Sequence, residues 1–299
     1  MLLLAVTGWF VLLSSLVILP FSSDARLEGI FRNPNSLATV LILCTLGVLY
    51  LVEDHQSRAG SWQWLAVAYV SLSVVVTVLS ASRGGMLAFA VLIGSASLWS
   101  GTGRNRLLFV AVALVVGIVS AIWPQIYEGI SSRTGTELTT LGGRTGIWSI
   151  AWDLIQRKPW TGYGGGVAPI LVGTIYRSTG KPMSIHNPLL EIWIETGAVG
   201  LILYLLMIII PVISFVWNWI VRPGNLDPTR LRHGRAVFST YLAYSVVWVK
   251  NGGAAHDKAI FVFLAVLTFF TFNKKRWSMN TTAAMRENES PSSKRRIFR

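Results

Sequence analysis

Eight stretches of this chain are apolar enough to be read as membrane spans: residues 2–20, 36–52, 62–80, 85–99, 107–123, 189–220, 236–249 and 258–272. A helix needs about 20 apolar residues to cross about 30 Å of hydrocarbon, and most of these runs approach that length. The fourth and the last two are the shortest. Within lipid every backbone amide must find its partner inside the chain, so runs of this kind fold as helices. The expected fold is therefore all-α, a polytopic membrane helix bundle of about eight spans. With 299 residues, 53% of them hydrophobic and 13% charged, the composition agrees. Trp9, Trp62, Trp64, Trp99, Trp123, Trp217 and Trp219 stand near the ends of the runs, as an interfacial aromatic belt requires. The one cysteine, Cys44, lies inside a run, which leaves no intrachain disulfide and no cysteine metal cluster.

The net charge of +13 would suit nucleic acid in a soluble protein. In a membrane protein basic residues first report topology. An even number of spans places both termini on one side. With a cytoplasmic tail, that side holds Arg58, Arg104, Arg106, the group Arg222, Arg230, Arg232 and Arg235, and the basic residues from Lys274 to Arg299, fifteen of the 26 Lys and Arg. Five lie in the short loops opposite: Arg26, Arg32, Arg83, Lys250 and Lys258. The segment from about 124 to 188 is then a large extracytoplasmic loop in a membrane domain of residues 1–279. The tail, 280–299, is basic and Ser-rich, expected to be disordered and cytoplasmic, within reach of anionic lipid. The first run lacks a small-x-small cleavage site before Pro20 and reads as an uncleaved span.

The extracytoplasmic loop carries the chemistry. Ile147, Ile150, Ala151, Leu154 and Ile155 share one face of a helix that ends at Pro159, an amphipathic helix expected to lie on the bilayer. Gly142, Gly143 and Arg144 immediately precede this helix, read as residues 145–157, and Arg83 sits in Ser82-Arg83-Gly84-Gly85 between two spans. Each guanidinium suits a phosphate or carboxylate, and each equally suits a lipid headgroup or water. Arg32, in Phe31-Arg32-Asn33-Pro34-Asn35, reads as part of a turn leading into a span. Gly162-Tyr163-Gly164-Gly165-Gly166 lacks the Gly-Lys-Ser/Thr ending of a nucleotide loop and reads as a flexible turn.

His186 stands where the chain re-enters the membrane, and its imidazole suits a general base or a hydrogen-bond donor. Glu191 and Glu195, one turn apart, could orient it or cap the helix that follows. Metal ligation finds little support, because His55 and His233 fall on the other side and His256 has no fixed spacing to His186. Outside there is no Asp-x-Asp pair to bridge a metal and a nucleotide-sugar, no Gly-x-Ser-x-Gly elbow and no HExxH helix. No metal and no cofactor is expected.

His186 and Asn187, then nine residues, Gly197, two residues and Gly200, resemble the His-[Asn/Ser/Gln]-x9-Gly-x2-[Gly/Thr/Tyr] signature of the O-antigen ligase and O-antigen polymerase superfamily of bacterial membrane glycosyltransferases. The Arg32, Arg83 and Arg144 motifs, with Trp148, Pro159, Gly162, Gly164 and Gly166, follow in the family's order, so the resemblance covers about 30 to 210. It implies a metal-independent transferase in the cytoplasmic membrane whose donor is an oligosaccharide or polysaccharide on undecaprenyl diphosphate. A glycan, lipid A core or protein would be the acceptor, and nucleic acid would have no part. Carried onto this chain, Arg83 and Arg144 bind the diphosphate, His186 is catalytic, and Asn187, Glu191, Glu195, Gly197 and Gly200 support it. Family members usually have more spans than the eight read here, so an absent N-terminal part or a displaced start is expected. The rival readings are a transporter or flippase of lipid-linked glycans and a structural membrane subunit. Transporters place ionisable groups in mid-span, whereas here they crowd one face. Trp148, Trp152 and Trp160 could stack on sugars or sit at the membrane interface.

Overall fold

The computed structural model describes residues 1–18, 31, 33–54, 61–80, 82–99, 144–177, 181–223, 226–251 and 258–272. All regular structure among them is helical. The helices are α1 (Leu2–Ile18), α2 (Pro34–Asp54), α3 (Ser61–Leu79), α4 (Arg83–Trp99), α5 (Arg144–Arg157), α6 (Ala168–Arg177), α7 (Pro188–Phe215), α8 (Pro228–Asn251) and α9 (Lys258–Phe272). Seven of the eight apolar runs coincide with helices. The run 107–123, Arg32, His55, His256, the loop as far as Gly143 and the tail 280–299 lie outside the described residues.

Local chemistry sets the ends of these helices. Asn33 caps α2: its Oδ1 accepts from the amides of Asn35 (2.9 Å) and Ser36 (3.2 Å), and Pro34, which has no amide hydrogen to orphan, takes the first position. Ser82 caps α4 in the same way through the Gly85 amide (3.3 Å), and its hydroxyl donates to Asn35 Oδ1 (2.9 Å). The Asn-Pro-Asn turn and the Ser-Arg-Gly-Gly turn thus meet at one end of the bundle. At the other end of the sequence, Asp227 caps α8 through the Arg230 amide (3.1 Å). That helix therefore begins at Pro228 rather than near 236, and Arg230, Arg232, His233 and Arg235 are helical. The ring of His233 stacks on Tyr50 at 3.9 Å.

Two cores hold the bundle. The first joins α1 to α4 with Ala243 and Val247 of α8, around the fully buried Leu12, Leu37, Leu41, Ile42 and Tyr69. Close approach between α1 and α2 requires Gly47, where a Cβ would lie 2.7 Å from the backbone of Met1 and Ala5. The second core joins the far half of α7 to α8 and α9. There α7 widens into a π-helix, Val216–Val221, which lays the fully buried Trp219 flat against Phe215 (5.5 Å between ring centres).

The outer surface of this bundle is more apolar than that of one folded in water. Ser15, Thr45, Ser73, Thr77, Ser239 and Thr240 are fully buried, while Phe10, Val17, Leu203, Ile213 and Phe272 face outward, Val17 with 82% of its surface exposed. Thr45 and Thr240 satisfy their hydroxyls on the carbonyls one turn back, at 2.8 and 3.0 Å. Outward apolar faces are what lipid permits. One described helix, Pro188–Val221, is long and apolar enough to cross a membrane by those measures alone; α1 to α4 and α9 contain shorter apolar helices.

Asn33→Ala removes the α2 cap and is expected to cost about 1 kcal/mol. A thermal melt in lipid nanodiscs should show a lower midpoint for Asn33→Ala, and Asn33→Asp, which keeps the acceptor, should melt near the parent.

Candidate functional site

A third, smaller core lies apart from the bundle interior. Ile147, Ala151, Leu154 and Ile155 of α5, Ala168 and Val172 of α6, and Ile185 and Ile194 close on one another. Among the described helices, α5 and α6 come within 8 Å (Cα to Cα) of each other and of α7, and of no other. The apolar face of α5 is the one its sequence spacing gives. It is covered by protein, not laid on lipid as the sequence suggested, because α6 and the start of α7 fold onto it.

The unit is anchored at a break in α7. Gly197, with φ 69° and ψ −173°, leaves helical geometry inside an otherwise continuous apolar helix. A break strands backbone groups, which then need partners. The turn after α5 supplies them: the Tyr163 amide donates to Ile194 O (2.8 Å), the Gly164 amide to Glu195 O (2.9 Å), and the Ala198 amide to Pro159 O (2.8 Å). Trp193 Nε1 donates to the same Pro159 carbonyl at 3.2 Å. The two backbones touch, so a Cβ on Gly197 would collide with the Trp160 carbonyl and one on Gly162 (φ 65°) with that of Glu195. Gly162 and Gly197 are thus a matched pair. Gly200, the last residue of the signature, leaves room for Thr196, whose hydroxyl donates back to Ile192 O (2.8 Å).

The same contacts assign the glycine-rich turn and its neighbours. The amides of Tyr163 and Gly164 are spent on α7, so the turn serves as a clasp. Glu195 is buried, and its Oε1 accepts from the Ala168 amide at 3.4 Å, capping α6 rather than α7. Glu191, also buried, lies in the first turn of α7, where the helix dipole favours a carboxylate. Asn187 is the α7 cap, its side chain accepting from the amides of Leu189 (3.0 Å) and Leu190 (3.3 Å). Leu189 packs on the second core, so the first turns of α7 are joined to the bundle.

His186 sits between two fixed points. On one side Ile185 is fully buried, and its carbonyl accepts from Trp148 Nε1 at 3.0 Å. On the other, Asn187 is committed to the cap. His186 itself adopts φ 55°, in the left-handed region, and its amide donates to Ser184 Oγ at 3.3 Å. Such a conformation in a non-glycine residue costs of order 1 kcal/mol and persists only where its surroundings impose it. Arg144 precedes Trp148, whose indole bonds to the Ile185 carbonyl, by one helical turn on the same side of α5. It is half-buried, and that burial pushes its guanidinium below the usual arginine range. A guanidinium that has lost water in this way gains more from a nearby anion than a solvated one.

Arg83 opens α4, which packs on α2, α3 and α8 and does not approach α5 or α7 within 8 Å. The link between the two regions is α8, which touches α4 along one side and α7 along another. No three His, Cys, Asp or Glu side chains among the described residues converge as a metal site would. Sequence reasoning missed three parts of the unit: the Trp148 tether, the Gly162 and Gly197 contact, and the capping of α6 by Glu195. Their one signal was the presence of Trp148, Pro159 and Gly162, in that order, ahead of His186.

Residues 68–205 match the sequence profile of the family described as O-antigen ligase. The matched segment runs from α3 through the break of α7. A general O-oligosaccharyltransferase of Acinetobacter baylyi is 28% identical over 183 residues, 56% of this chain and 32% of that protein. An uncharacterized protein of Haemophilus influenzae is 25% identical over 203 residues, 61% of this chain and 49% of the relative. The chain thus spans about half the length of one relative and about a third of the other.

Gly162→Ala and Gly197→Ala should each free the clasp, at a cost of about 2 kcal/mol or more. Limited proteolysis in nanodiscs should then cut between residues 144 and 198 in both variants and not in the parent. The backbone of His186 predicts a further ordering: His186→Gly should melt higher than His186→Ala, by about 1 kcal/mol, because glycine accepts the left-handed conformation.

Proposed function

We propose, from the premise that the chain belongs to the O-antigen ligase superfamily through residues 68–205, that it transfers a glycan from undecaprenyl diphosphate to an acceptor hydroxyl. The reaction would take place at the outer face of the cytoplasmic membrane, with both termini cytoplasmic and the α5 to α6 unit outside, in the eight-span topology read from the basic residues. The observation that supports this reading is the Trp148 to Ile185 hydrogen bond, which ties α5, the helix that Arg144 opens, to the residue before His186.

The chemistry needs three tasks from protein groups. The acceptor hydroxyl gives its proton to the His186 imidazole as its oxygen attacks the anomeric carbon of the donor. The bond between that carbon and the diphosphate oxygen breaks, and undecaprenyl diphosphate leaves with the electron pair. Arg144 binds the diphosphate and offsets the charge that develops on it, a preorganised donor in such a role contributing about 3 kcal/mol; Arg83, on α4 and apart from α5 and α7, is the second proposed phosphate ligand, which the donor would have to reach from the other side. Arginine suits the task because its planar fork meets two phosphate oxygens at once. The rigid surroundings of His186 serve the first task, since a base must reach its proton in a fixed geometry. Glu191 and Glu195 support the segment from within.

The acceptor remains open between sugar and protein hydroxyls. The Acinetobacter baylyi relative is named a general O-oligosaccharyltransferase, which agrees with transfer of an oligosaccharide to a hydroxyl oxygen; ligase, polymerase and protein-transferase readings share that step. A transporter or structural subunit would need no imidazole in a strained backbone at the mouth of a span.

In membranes supplied with a labelled undecaprenyl-diphosphate oligosaccharide, His186→Ala should lower transfer by about 10²-fold or more. Undiminished transfer by that variant would exclude the base. Arg144→Lys should fall well below the parent, and equal activity would argue against two-point binding of the diphosphate.

A further inference from the structure

The clearest unassigned feature of the third core is a line of residues along α5. Arg144, Trp148 and Trp152 follow one another at four-residue steps, each about 6 Å along the axis and about 40° round it. The line therefore follows one flank of the buried face that Ile147, Ala151, Leu154 and Ile155 create, and it becomes more exposed as it goes: Arg144 and Trp148 are half-buried, and Trp152 is 48% exposed. Its first member is the proposed diphosphate ligand. Its second tethers the backbone next to His186. Its third meets Trp193 of α7 edge to face, ring centres 5.8 Å apart at 89°.

We infer that Trp152, braced by Trp193, is an acceptor subsite on which a sugar ring stacks, one helical turn past the Trp148 tether. The inference rests on the transferase reading above and extends it to the acceptor. Trp193 is itself held by its bond to Pro159 O (3.2 Å), so the pair is fixed before any ligand arrives. An indole face carries partial negative charge and attracts the C–H bonds of a pyranose as it attracts other positive edges. The order along α5 also matches the geometry of displacement. The leaving diphosphate occupies Arg144, the base stands beside Trp148, and the acceptor, whose hydroxyl the base must reach, extends to the far side. The lipid interface is the occupant this order disfavours for Trp152. Trp160, 68% exposed and next to the start of the α7 span through the contact of Pro159 with Ala198, is the tryptophan placed for that role.

The test varies donor and acceptor separately in nanodiscs of phosphatidylethanolamine and phosphatidylglycerol. The donor is an undecaprenyl-diphosphate oligosaccharide and the acceptor is a lipid A core oligosaccharide. Trp152→Ala should raise the acceptor KM about tenfold, leaving kcat and the donor KM near the parent values. Trp152→Phe and Trp152→Tyr should restore most of the loss, and Trp152→Leu should not. Rescue by leucine would identify a lipid anchor and overturn the inference, as would a shift confined to the donor KM or no shift at all. Saturation-transfer NMR with the same acceptor oligosaccharide separates this inference from the catalytic one. The signal should vanish in Trp152→Ala and persist in His186→Ala. A signal that survives Trp152→Ala removes the subsite whatever His186 does, while full transfer by His186→Ala removes the base and leaves the subsite standing. Trp152→Phe, which keeps the brace against Trp193, carries the test if the alanine variant does not fold.

Discussion

A helix interrupted at one residue leaves carbonyl and amide groups with no partner in their own helix, and the site is organised around how α7 meets that requirement at Gly197. The break is filled by backbone from a distant part of the chain, the turn from Pro159 to Gly164. Because the partners are main-chain atoms, the contact tolerates no side chain on either surface, which accounts for glycine at both Gly162 and Gly197. Once made, it fixes the end of α5 against α7, and the position of Arg144 and Trp148 follows from the rigidity of a fourteen-residue helix.

His186 illustrates how a small core can fix the backbone of a residue that it does not fully bury. Eight buried side chains make up the third core, far fewer than either bundle core contains. They do not enclose the imidazole. They seize Ile185 on one side, while the capping role of Asn187 fixes the other, and the residue between has one backbone conformation left to it. The local strain is offset by the two anchors.

Much of this was legible in the sequence, for identifiable reasons. Apolar runs in a chain with few charges read directly as helices, and seven of them are helices here. The burial of Ile147, Ala151, Leu154 and Ile155 followed from helical spacing alone. What covers that face did not, since spacing reports a stripe and says nothing of its partner. The break in α7 was hidden because a glycine within a helical run has no spacing signal of its own, and Gly197 looks like any small residue until the contact with Trp160 is known. The first turns of α8 were misjudged as loop for the opposite reason: Arg230, Arg232 and Arg235 are too polar for lipid, yet Asp227 caps a helix that carries them all. The signature residues were found as a set, but their separate duties were not. Asn187 caps, Gly197 bends, Gly200 makes room for Thr196, and Glu195 holds a different helix from the one it sits on.

The elbow at Gly197 also ties the site to the bilayer as a mechanical body. A long apolar helix changes its tilt with the thickness of the hydrocarbon around it. Here the far side of the elbow is not slack, for it is clamped to α5 and leans on the second core through Leu189. A change in the tilt of α7 would therefore be passed through these contacts to the backbone on either side of His186.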